Sequence, residues 1–346
     1  MKTRGYAALS AKSNLVPFEF ERRELGSHDV GFAIEYAGIC HSDIHQVREE
    51  WGPALFPMVP GHEIVGTVTS VGATVKKFRV GDRIGVGVFI DSCRKCSNCT
   101  RGLQQYCLEG MTGTYNGYER NTQTIAYGGY SNNFVIDENY AVTVPTNLEK
   151  SGVAPLLCAG ITLYSPIRHW KVGPGSKVAV MGLGGLGHMG VKFAAALGAE
   201  VTVYSHSSHK EADARNMGAT DFVVTKGNEW HKPLRKRFDL ILNTVSADID
   251  LDPYLSTLAT DGTLVIIGLP GKPYAINAGS MLDGRRSIAG SMIGGMPELQ
   301  EMLNFCGEKN ILSDVEVIEA DYINQAYERT VASDVKYRFV IDAKTF

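Results

Sequence analysis

The sequence predicts an α/β protein in which a doubly wound parallel sheet is joined to a second domain rich in β-structure. The first observation is a glycine turn that links an apolar strand to a helical stretch within residues 177–204. The second is the alternation of apolar strands with helical or polar stretches that follows this turn. The third is the residue pattern before residue 150, where glycines interrupt short apolar segments typical of strands. A length of 346 residues suggests about two domains, each able to form a core.

Composition and charge are those of an ordinary globular protein. Hydrophobic residues make up 44% and the net charge is −3, so we expect neither nucleic acid nor an anionic membrane as a partner. The first 25 residues contain no apolar run typical of a signal peptide, and no stretch approaches the roughly 18 apolar residues of a membrane span. We therefore expect a cytoplasmic protein whose seven cysteines serve thiolate chemistry or metal binding rather than cross-linking.

The β-rich region opens the chain, with strands predicted in "EIVGTVTSVG" at residues 63–72 and "RVGDRIGVGVF" at residues 79–89. We predict that this domain spans residues 1–150 and is completed by residues 291–346, after the stretch "RRSIAGSMIGG" ends the strand–helix alternation. Residues 151–290 then form the parallel-sheet domain.

A cluster of four cysteines lies within a short polar segment of the first domain. The spacing is C-x₂-C-x₂-C-x₇-C, formed by Cys93, Cys96, Cys99 and Cys107. Two-residue gaps aim successive sulfurs at one point, and the longer gap lets the chain return to close a four-ligand shell. The pattern predicts a structural zinc ion. Free cysteines, a disulfide pair and an iron–sulfur cluster are the alternatives.

A second metal site could be formed by Cys40, His62 and Cys158. Two cysteines and one histidine with an open position are a known ligand set for catalytic zinc, and their net charge leaves the ion a good Lewis acid. However, Cys158 lies in an apolar run, where a buried cysteine is commonly part of the core. The residues alone leave both interpretations open.

Residues 177–204 carry the fingerprint of a dinucleotide-binding turn. Strands are predicted at Lys177–Met181 and Glu200–Tyr204, with a helix from Leu186 to Leu197 between them. The first glycine of G-x-G-x-x-G makes the turn, the second admits the pyrophosphate, and the third lets helix and strand pack. The helix N-terminus then faces the phosphates. The predicted cofactor-binding residues are Gly182, Leu183, Gly184, Gly185, Leu186 and Gly187.

The end of the second strand selects the cofactor. An NAD site usually places an acid there to bind the ribose hydroxyl, but the run "YSHSSHK" contains none. Ser205, His206, Ser207 and Lys210 could instead donate hydrogen bonds to a 2′-phosphate, which favours NADP over NAD. The alternative is an ordinary polar loop.

Segments along the whole chain carry a resemblance to a known family: "GICHSDIHQ", "PMVPGHEIVG", "CRKCSNC", "APLLCAGIT", "GLGGLGHMGVKFA", "GSMIGG" and "KYRFVID". Together they resemble the zinc-dependent medium-chain alcohol dehydrogenases, in the cinnamyl alcohol dehydrogenase branch that includes bacterial NADP-dependent aldehyde reductases. The resemblance implies a GroES-like catalytic domain and a Rossmann domain, with the active site in the cleft between them. It also implies a homodimer.

The resemblance implies roles for individual residues. Cys40, His62 and Cys158 match the catalytic zinc ligands, Glu63 an adjacent acid that can approach the metal, and the four clustered cysteines the structural zinc ligands. Asp43 would orient His62, with helix capping as the alternative. Ser42 would touch the substrate oxygen, and His45 would end a proton relay or else be a solvated helix residue. The other implied residues are His41, Thr162, Ser291 and Ile293 for the cofactor, and Gln46, Trp51, Leu55 and Tyr115 for the substrate pocket.

The implied activity is hydride transfer between NADP(H) and a primary alcohol or aldehyde, with two zinc ions per chain and broad or aromatic substrates of the cinnamyl type. Reduction of the aldehyde is the expected direction. A zinc-free quinone reductase of the same superfamily would lack the Cys/His set. A zinc-stabilised regulatory protein with a dead site should have lost at least one of Cys40, Ser42, His62 or Cys158, and all four are present.

Overall fold

The computed structural model describes residues 1–346, which form two compact units. One unit comprises Met1–Ile161 and Gly294–Phe346, and the other comprises Thr162–Ile293. The boundaries predicted after residues 150 and 290 thus lie after Ile161 and Ile293 instead. The first shift has a packing reason, because the carbonyl and side chain of Leu157 lie against Gly87 and Gly85 of the first unit. No helix combines the length and the apolar character needed to span a membrane.

Seventeen strands and ten α-helices make up the two units. The strands are β1 (Lys2–Ala8), β2 (Leu15–Glu21), β3 (Asp29–Gly38), β4 (Ile64–Val71), β5 (Arg83–Val86), β6 (Phe89–Asp91), β7 (Thr112–Gly113), β8 (Asn133–Asp137), β9 (Val142–Thr143), β10 (Lys177–Met181), β11 (Glu200–Ser205), β12 (Asp221–Val224), β13 (Phe238–Asn243), β14 (Leu258–Ile266), β15 (Ser287–Gly290), β16 (Val315–Ile318) and β17 (Arg338–Asp342). The helices are α1 (His41–Val47), α2 (Ser97–Thr100), α3 (Lys150–Val153), α4 (Ala159–His169), α5 (Gly187–Ala196), α6 (Glu211–Asn216), α7 (Asp252–Thr257), α8 (Ala278–Leu282), α9 (Met296–Lys309) and α10 (Ile323–Val331).

The first unit is built on a seven-stranded sheet in the order β16-β17-β3-β4-β5-β9, with β8 also paired to β3. Its pairs are antiparallel except β16 with β17. The end of the chain returns to this sheet, because Val340 of β17 lies opposite Gly38 of β3. Strand β3 therefore lies inside the sheet, and the segment that follows it begins with the buried Ile39.

The second unit is a six-stranded parallel sheet in the order β12-β11-β10-β13-β14-β15. Counted from β10, this is the 3-2-1-4-5-6 order of a doubly wound dinucleotide-binding fold. Strand β10 has its predicted bounds, whereas β11 runs one residue beyond Tyr204 to Ser205. The stretch expected to end the alternation contributes β15, the sixth strand, at the sheet edge. The predicted fold class, a doubly wound parallel sheet with a β-rich second domain, is confirmed.

The turn after β10 shows why two of its glycines are needed. Gly182 has φ = 85°, which lies in the left-handed region that glycine adopts without steric cost. A Cβ on Gly187 would lie 1.9 Å from the carbonyl oxygen of Gly182, so only glycine allows α5 to begin this close to the strand.

Candidate active site

Helix α1 begins three residues after the end of β3, and Asp43 in its first turn accepts hydrogen bonds from several neighbouring residues. The carboxylate is completely buried. Its Oδ2 accepts a hydrogen bond from the backbone N–H of Cys40 at 2.9 Å, which caps the helix. Its Oδ1 accepts from Nδ1 of His62 at 3.0 Å and from the N–H of Gly61 at 3.1 Å. Both interpretations of Asp43 offered by the sequence, the cap and the histidine partner, therefore hold geometrically.

The contact with Asp43 determines what His62 can do. Because the Asp43 carboxylate can only accept, Nδ1 of His62 carries a proton, and Nε2 is the ring nitrogen available to another partner. Burial opposes charging of the ring, but the charges and hydrogen bonds of Asp43 and Cys40 raise the pKa of His62 well above its ordinary value, so a metal that binds Nε2 would displace a proton from it.

Cys40 and Cys158 meet in the same buried volume, although they are 118 residues apart in the chain. Their sulfur atoms are 3.9 Å apart, and Ser42 Oγ lies 3.5 Å from the sulfur of Cys40. Contact with the Cys158 thiol is the largest cause that holds the pKa of Cys40 well below its usual range. The low pKa favours a thiolate at Cys40, and thiolate is the form in which cysteine binds metals.

Glu63 is a completely buried acid beside these residues. Its Oε1 accepts a hydrogen bond from Arg338 at 2.6 Å, whereas Oε2 has no hydrogen-bond partner in the protein. Burial raises the pKa of Glu63 to about 8, despite the neighbouring guanidinium. A Cβ on Gly38 would lie 2.0 Å from Oε2, so the glycine leaves room for this carboxylate.

The buried set fits a zinc ion. One ligand atom from each of Cys40, His62, Glu63 and Cys158 lies within 4.8 Å of all the others. Sulfur, imidazole nitrogen and carboxylate oxygen are the donors that zinc takes. The unpartnered Oε2 of Glu63 is the kind of buried polar atom that a bound cation would satisfy.

The four clustered cysteines form a second set whose sulfurs also lie within 4.8 Å of one another. All are free thiols, which excludes the disulfide alternative. Backbone N–H groups donate to the sulfurs, as from Cys96 to Cys93 at 3.3 Å and from Leu108 to Cys96 at 3.4 Å. Backbone hydrogen bonds from Leu108 and Cys99 lower the pKa of Cys96 to about 6. Four sulfurs with no open position fit a structural zinc ion.

Two basic residues that stand between the clustered cysteines, Arg94 and Lys95, have carboxylate partners of their own. Arg94 pairs with Asp91 and Asp137, at 3.0 and 2.9 Å, and Lys95 pairs with Glu109 at 3.3 Å. Backbone amides and the hydroxyl of Ser92, 3.2 Å from the Cys99 sulfur, contact the sulfurs instead of these two side chains.

The proposed relay residue His45 lies in a stack of rings. Its ring centroid is 5.0 Å from that of His41 and 4.7 Å from that of Trp51, with interplanar angles of 29° and 25°. Nδ1 of His45 contacts the carboxylate of Glu50. Sequence reasoning missed Glu50, and the only signal was an acid five residues after the histidine. Trp51 is 45% exposed and contacts His45 rather than belonging to the core.

Three of the four predicted pocket residues meet around a residue that the sequence did not single out. Tyr115 is buried and stacks on the imidazole of His62, with centroids 5.9 Å apart and an interplanar angle of 24°. Its neighbour Asn116 accepts a hydrogen bond from the backbone N–H of Leu55 at 2.8 Å and donates one to Gln46 Oε1.

In the second unit, the glycine turn from Gly182 to Gly187 lies at the carboxyl end of β10. A Cβ on Gly184 would meet nothing within 4 Å, so the backbone there is open to a ligand. Lys210 Nζ donates to the carbonyl of Leu183 at 2.9 Å, which joins the turn to the polar segment after β11. Within that segment Ser205 Oγ accepts from the N–H of Ser207 at 3.1 Å. His206 is exposed.

The remaining predicted cofactor residues lie elsewhere in the chain. Thr162 is buried on α4. Ser291 follows β15 and its N–H donates to the carbonyl of Ile266 at the end of β14. Ile293 is buried and has φ = 40°. Strand ends of a parallel sheet share one edge, so Ser291 lies at the same edge as the glycine turn.

Comparison with known proteins shows the family to which the chain belongs. Residues 26–146 match the alcohol dehydrogenase GroES-like domain, and residues 185–308 match the zinc-binding dehydrogenase domain. The chain belongs to the zinc-binding medium-chain alcohol dehydrogenase family. The predicted family, including the GroES-like character of the first domain, is thereby confirmed, and so is the prediction that the protein is an enzyme.

Relatives of this alcohol dehydrogenase cover nearly the whole chain. NADP-dependent alcohol dehydrogenase C 1 from Mycolicibacterium smegmatis is 56% identical over 97% of this chain and 97% of its own. Aldehyde reductase YahK from Escherichia coli is 49% identical over 100% of this chain and 99% of its own. Among solved structures, a cinnamyl alcohol dehydrogenase from Sorghum bicolor superposes with a TM-score of 0.96 at 42% identity, covering 99% of this chain and 98% of its own.

Proposed function

We propose that this alcohol dehydrogenase reduces aldehydes to primary alcohols with NADPH, at a catalytic zinc site formed by Cys40, His62 and Cys158. The observation that carries the proposal is the buried Cys₂His set, with Glu63 beside it and the hydroxyl of Ser42 3.5 Å from the Cys40 sulfur. The names of the mycobacterial and Escherichia coli relatives support the cofactor and the reductive direction. The likeness to a cinnamyl alcohol dehydrogenase supports aromatic aldehydes as substrates.

The chain's own residues prepare the metal site. A bound zinc ion would supply Lewis-acid polarisation of the carbonyl, and bound NADPH would supply the hydride. Asp43 holds His62 in the tautomer that leaves Nε2 free. Arg338 holds Glu63 through Oε1 and also donates to the carbonyl of Ile39 at 2.8 Å.

Proton supply to the alcohol product falls to Ser42 and His45. A serine hydroxyl can accept and donate at once, and Ser42 is the hydroxyl beside the ligand set. His45 lies three residues further on α1, hence on the same side of the helix. With the carboxylate of Glu50 fixing Nδ1, Nε2 is the nitrogen of His45 that can pass a proton. We assign Glu50 as a positioning residue for this step.

NADP specificity is proposed to reside in Ser205, Ser207 and Lys210. Strand β11 ends on Ser205, where an NAD-binding enzyme of this fold usually carries an acid. Lys210 already lies on the glycine turn through its bond to Leu183, so its charge is close to the phosphate-binding backbone.

To test this proposal, an aromatic aldehyde is added to the purified, zinc-loaded protein with NADPH, and the loss of NADPH absorbance is measured. We expect consumption by the wild type and by Cys306→Ser, since Cys306 is buried in α9 outside both cysteine sets. We expect none by Cys40→Ser. Turnover by Cys40→Ser equal to that of the control would contradict the assigned metal site.

A further inference from the structure

Asn116 links two segments that border the predicted substrate pocket. It is half-buried, directly follows Tyr115, and has φ = 55°, a left-handed conformation that asparagine tolerates. Its side chain bonds the backbone N–H of Leu55, in the segment after α1, and the side chain of Gln46, in the last turn of α1.

These two bonds fix the orientation of both amides. The backbone N–H of Leu55 can only donate, so the atom of Asn116 that faces it at 2.8 Å is the oxygen. The NH₂ group of Asn116 must then face Gln46, and Gln46 must present its oxygen to it. The NH₂ group of Gln46 is left without an acceptor in the protein and remains free to donate.

Gln46 lies one helical turn beyond Ser42. Residues four apart share a helix face, and the rise between them is about 6 Å. Because Ser42 is the hydroxyl beside the reacting oxygen in the proposed function, Gln46 lies on the same helix face one turn further from that oxygen.

We propose that Asn116 is a specificity-determining positioning residue, which sets Gln46 as a hydrogen-bond donor to substrates carrying an acceptor remote from the aldehyde carbonyl. The inference rests on the proposed aldehyde reduction and names its preferred substrate class, aldehydes with a remote ether or hydroxyl oxygen. A site that offers a donor discriminates against an analogue without the acceptor, because the donor is then desolvated and unpaired.

The test compares kcat/KM for para-methoxybenzaldehyde with that for para-ethylbenzaldehyde, a pair of similar shape that differs in the ether oxygen. We expect the wild type to favour the methoxy compound by about tenfold, the effect of roughly one hydrogen bond. Gln46→Met removes the donor and should bring the ratio near one.

Asn116→Asp is the decisive variant. Aspartate keeps the bond from Leu55 but offers Gln46 only an acceptor, so the Gln46 amide must turn its NH₂ group to residue 116 and its oxygen to the pocket. The methoxy preference should then vanish or invert. Asn121→Asp, the same chemical change at an exposed position of the same loop, should keep the wild-type ratio. In the Gln46→Met background, Asn116→Asp should add no further change.

If Asn116→Asp fails to fold, Asn116→Gly preserves the left-handed backbone and loses both bonds, and it should lower the ratio toward that of Gln46→Met. A wild-type ratio in Asn116→Asp or Asn116→Gly, or in Gln46→Met, overturns the inference while leaving aldehyde reduction intact. Failure of the zinc-loaded wild type to reduce either aldehyde overturns the proposed function, and the inference with it.

Discussion

Tyr130 donates a hydrogen bond from its phenolic hydroxyl to Oδ2 of Asp43 at 3.1 Å, and both side chains are completely buried. Asp43 thus accepts four hydrogen bonds, from Cys40, Gly61, His62 and Tyr130. The loop that carries Tyr130 is itself bonded to the segment before His62, since the N–H of Tyr130 donates to Pro60 and that of Gly129 donates to Gly61. Tyr130 therefore braces the acid that orients a proposed zinc ligand.

Tyr130→Phe should weaken this support without removing a ligand. A buried carboxylate that loses one donor costs about 1–3 kcal/mol of unfolding free energy, and His62 becomes less firmly held. We expect a lower urea midpoint and faster transfer of zinc to a chromogenic chelator. Tyr118→Phe, at a half-exposed position, is the control and should behave as wild type. Unaltered zinc release in Tyr130→Phe would show that the bond does not support the site.

The two cysteine sets should respond differently to loss of a ligand. Elemental analysis of the wild type should give two zinc ions per chain, one for each set. Cys40→Ser should lose turnover and one zinc ion with little change in the unfolding midpoint. Cys96→Ser should lose the other zinc ion, stability and solubility. Equal losses of stability in the two variants would contradict this division.

The proton relay should contribute less than the metal site. Ser42→Ala should slow turnover within the range of about 10²–10⁴-fold seen for general acid–base groups. His45→Ala should slow it less, because water can partly replace a group near solvent, and added imidazole should restore part of the rate. The turnover rate of Glu50→Gln should fall between those of His45→Ala and the wild type. A wild-type rate for Ser42→Ala would exclude its assignment.

Cofactor choice should follow Ser205 and Lys210. Each charge-assisted contact to the 2′-phosphate is worth about 1.5–3 kcal/mol, so NADPH should exceed NADH in kcat/KM by at least about tenfold. Ser205→Asp should impair NADPH use by repulsion and raise NADH use through the ribose hydroxyl. Lys210→Ala should lower kcat/KM with NADPH and leave kcat/KM with NADH nearly unchanged. A kcat/KM ratio for the two cofactors that stays unmoved in Ser205→Asp would show that the segment after β11 does not select NADP.

What the sequence could predict depended on how local the signal was. The Cys93–Cys107 spacing and the strand–turn–helix around Gly182 are short-range patterns, and the structure follows both. Cys40 and Cys158 are 118 residues apart, so the residues alone left their grouping open, and the family resemblance favoured it before the fold brought them together. Strand β15 was missed because it ends on Gly290 and the glycines that follow it resemble a loop, although it pairs with β14 at the sheet edge.

The supporting residues lay beyond sequence reasoning for a related reason. Asn116 and Tyr130 act through hydrogen bonds to residues in other segments, and Glu50 contacts a histidine five residues before it. No spacing or periodicity encodes such bonds, because they depend on where loops meet after the sheet has formed. The proposed ligands, the glycine turn and Asp43 could therefore be named from the sequence and the family resemblance, whereas Glu50, Asn116 and Tyr130 required the structure.

The central claim, aldehyde reduction at the Cys40–His62–Cys158 metal site, is tested most directly by graded metal removal. Zinc per chain, NADPH-dependent reduction of an aromatic aldehyde and near-ultraviolet circular dichroism are measured on the same samples during chelation. We expect turnover to disappear with loss of one zinc ion while the dichroism of the folded protein persists. Added zinc should then restore turnover. Full turnover in folded protein that retains less than one zinc ion per chain would contradict it.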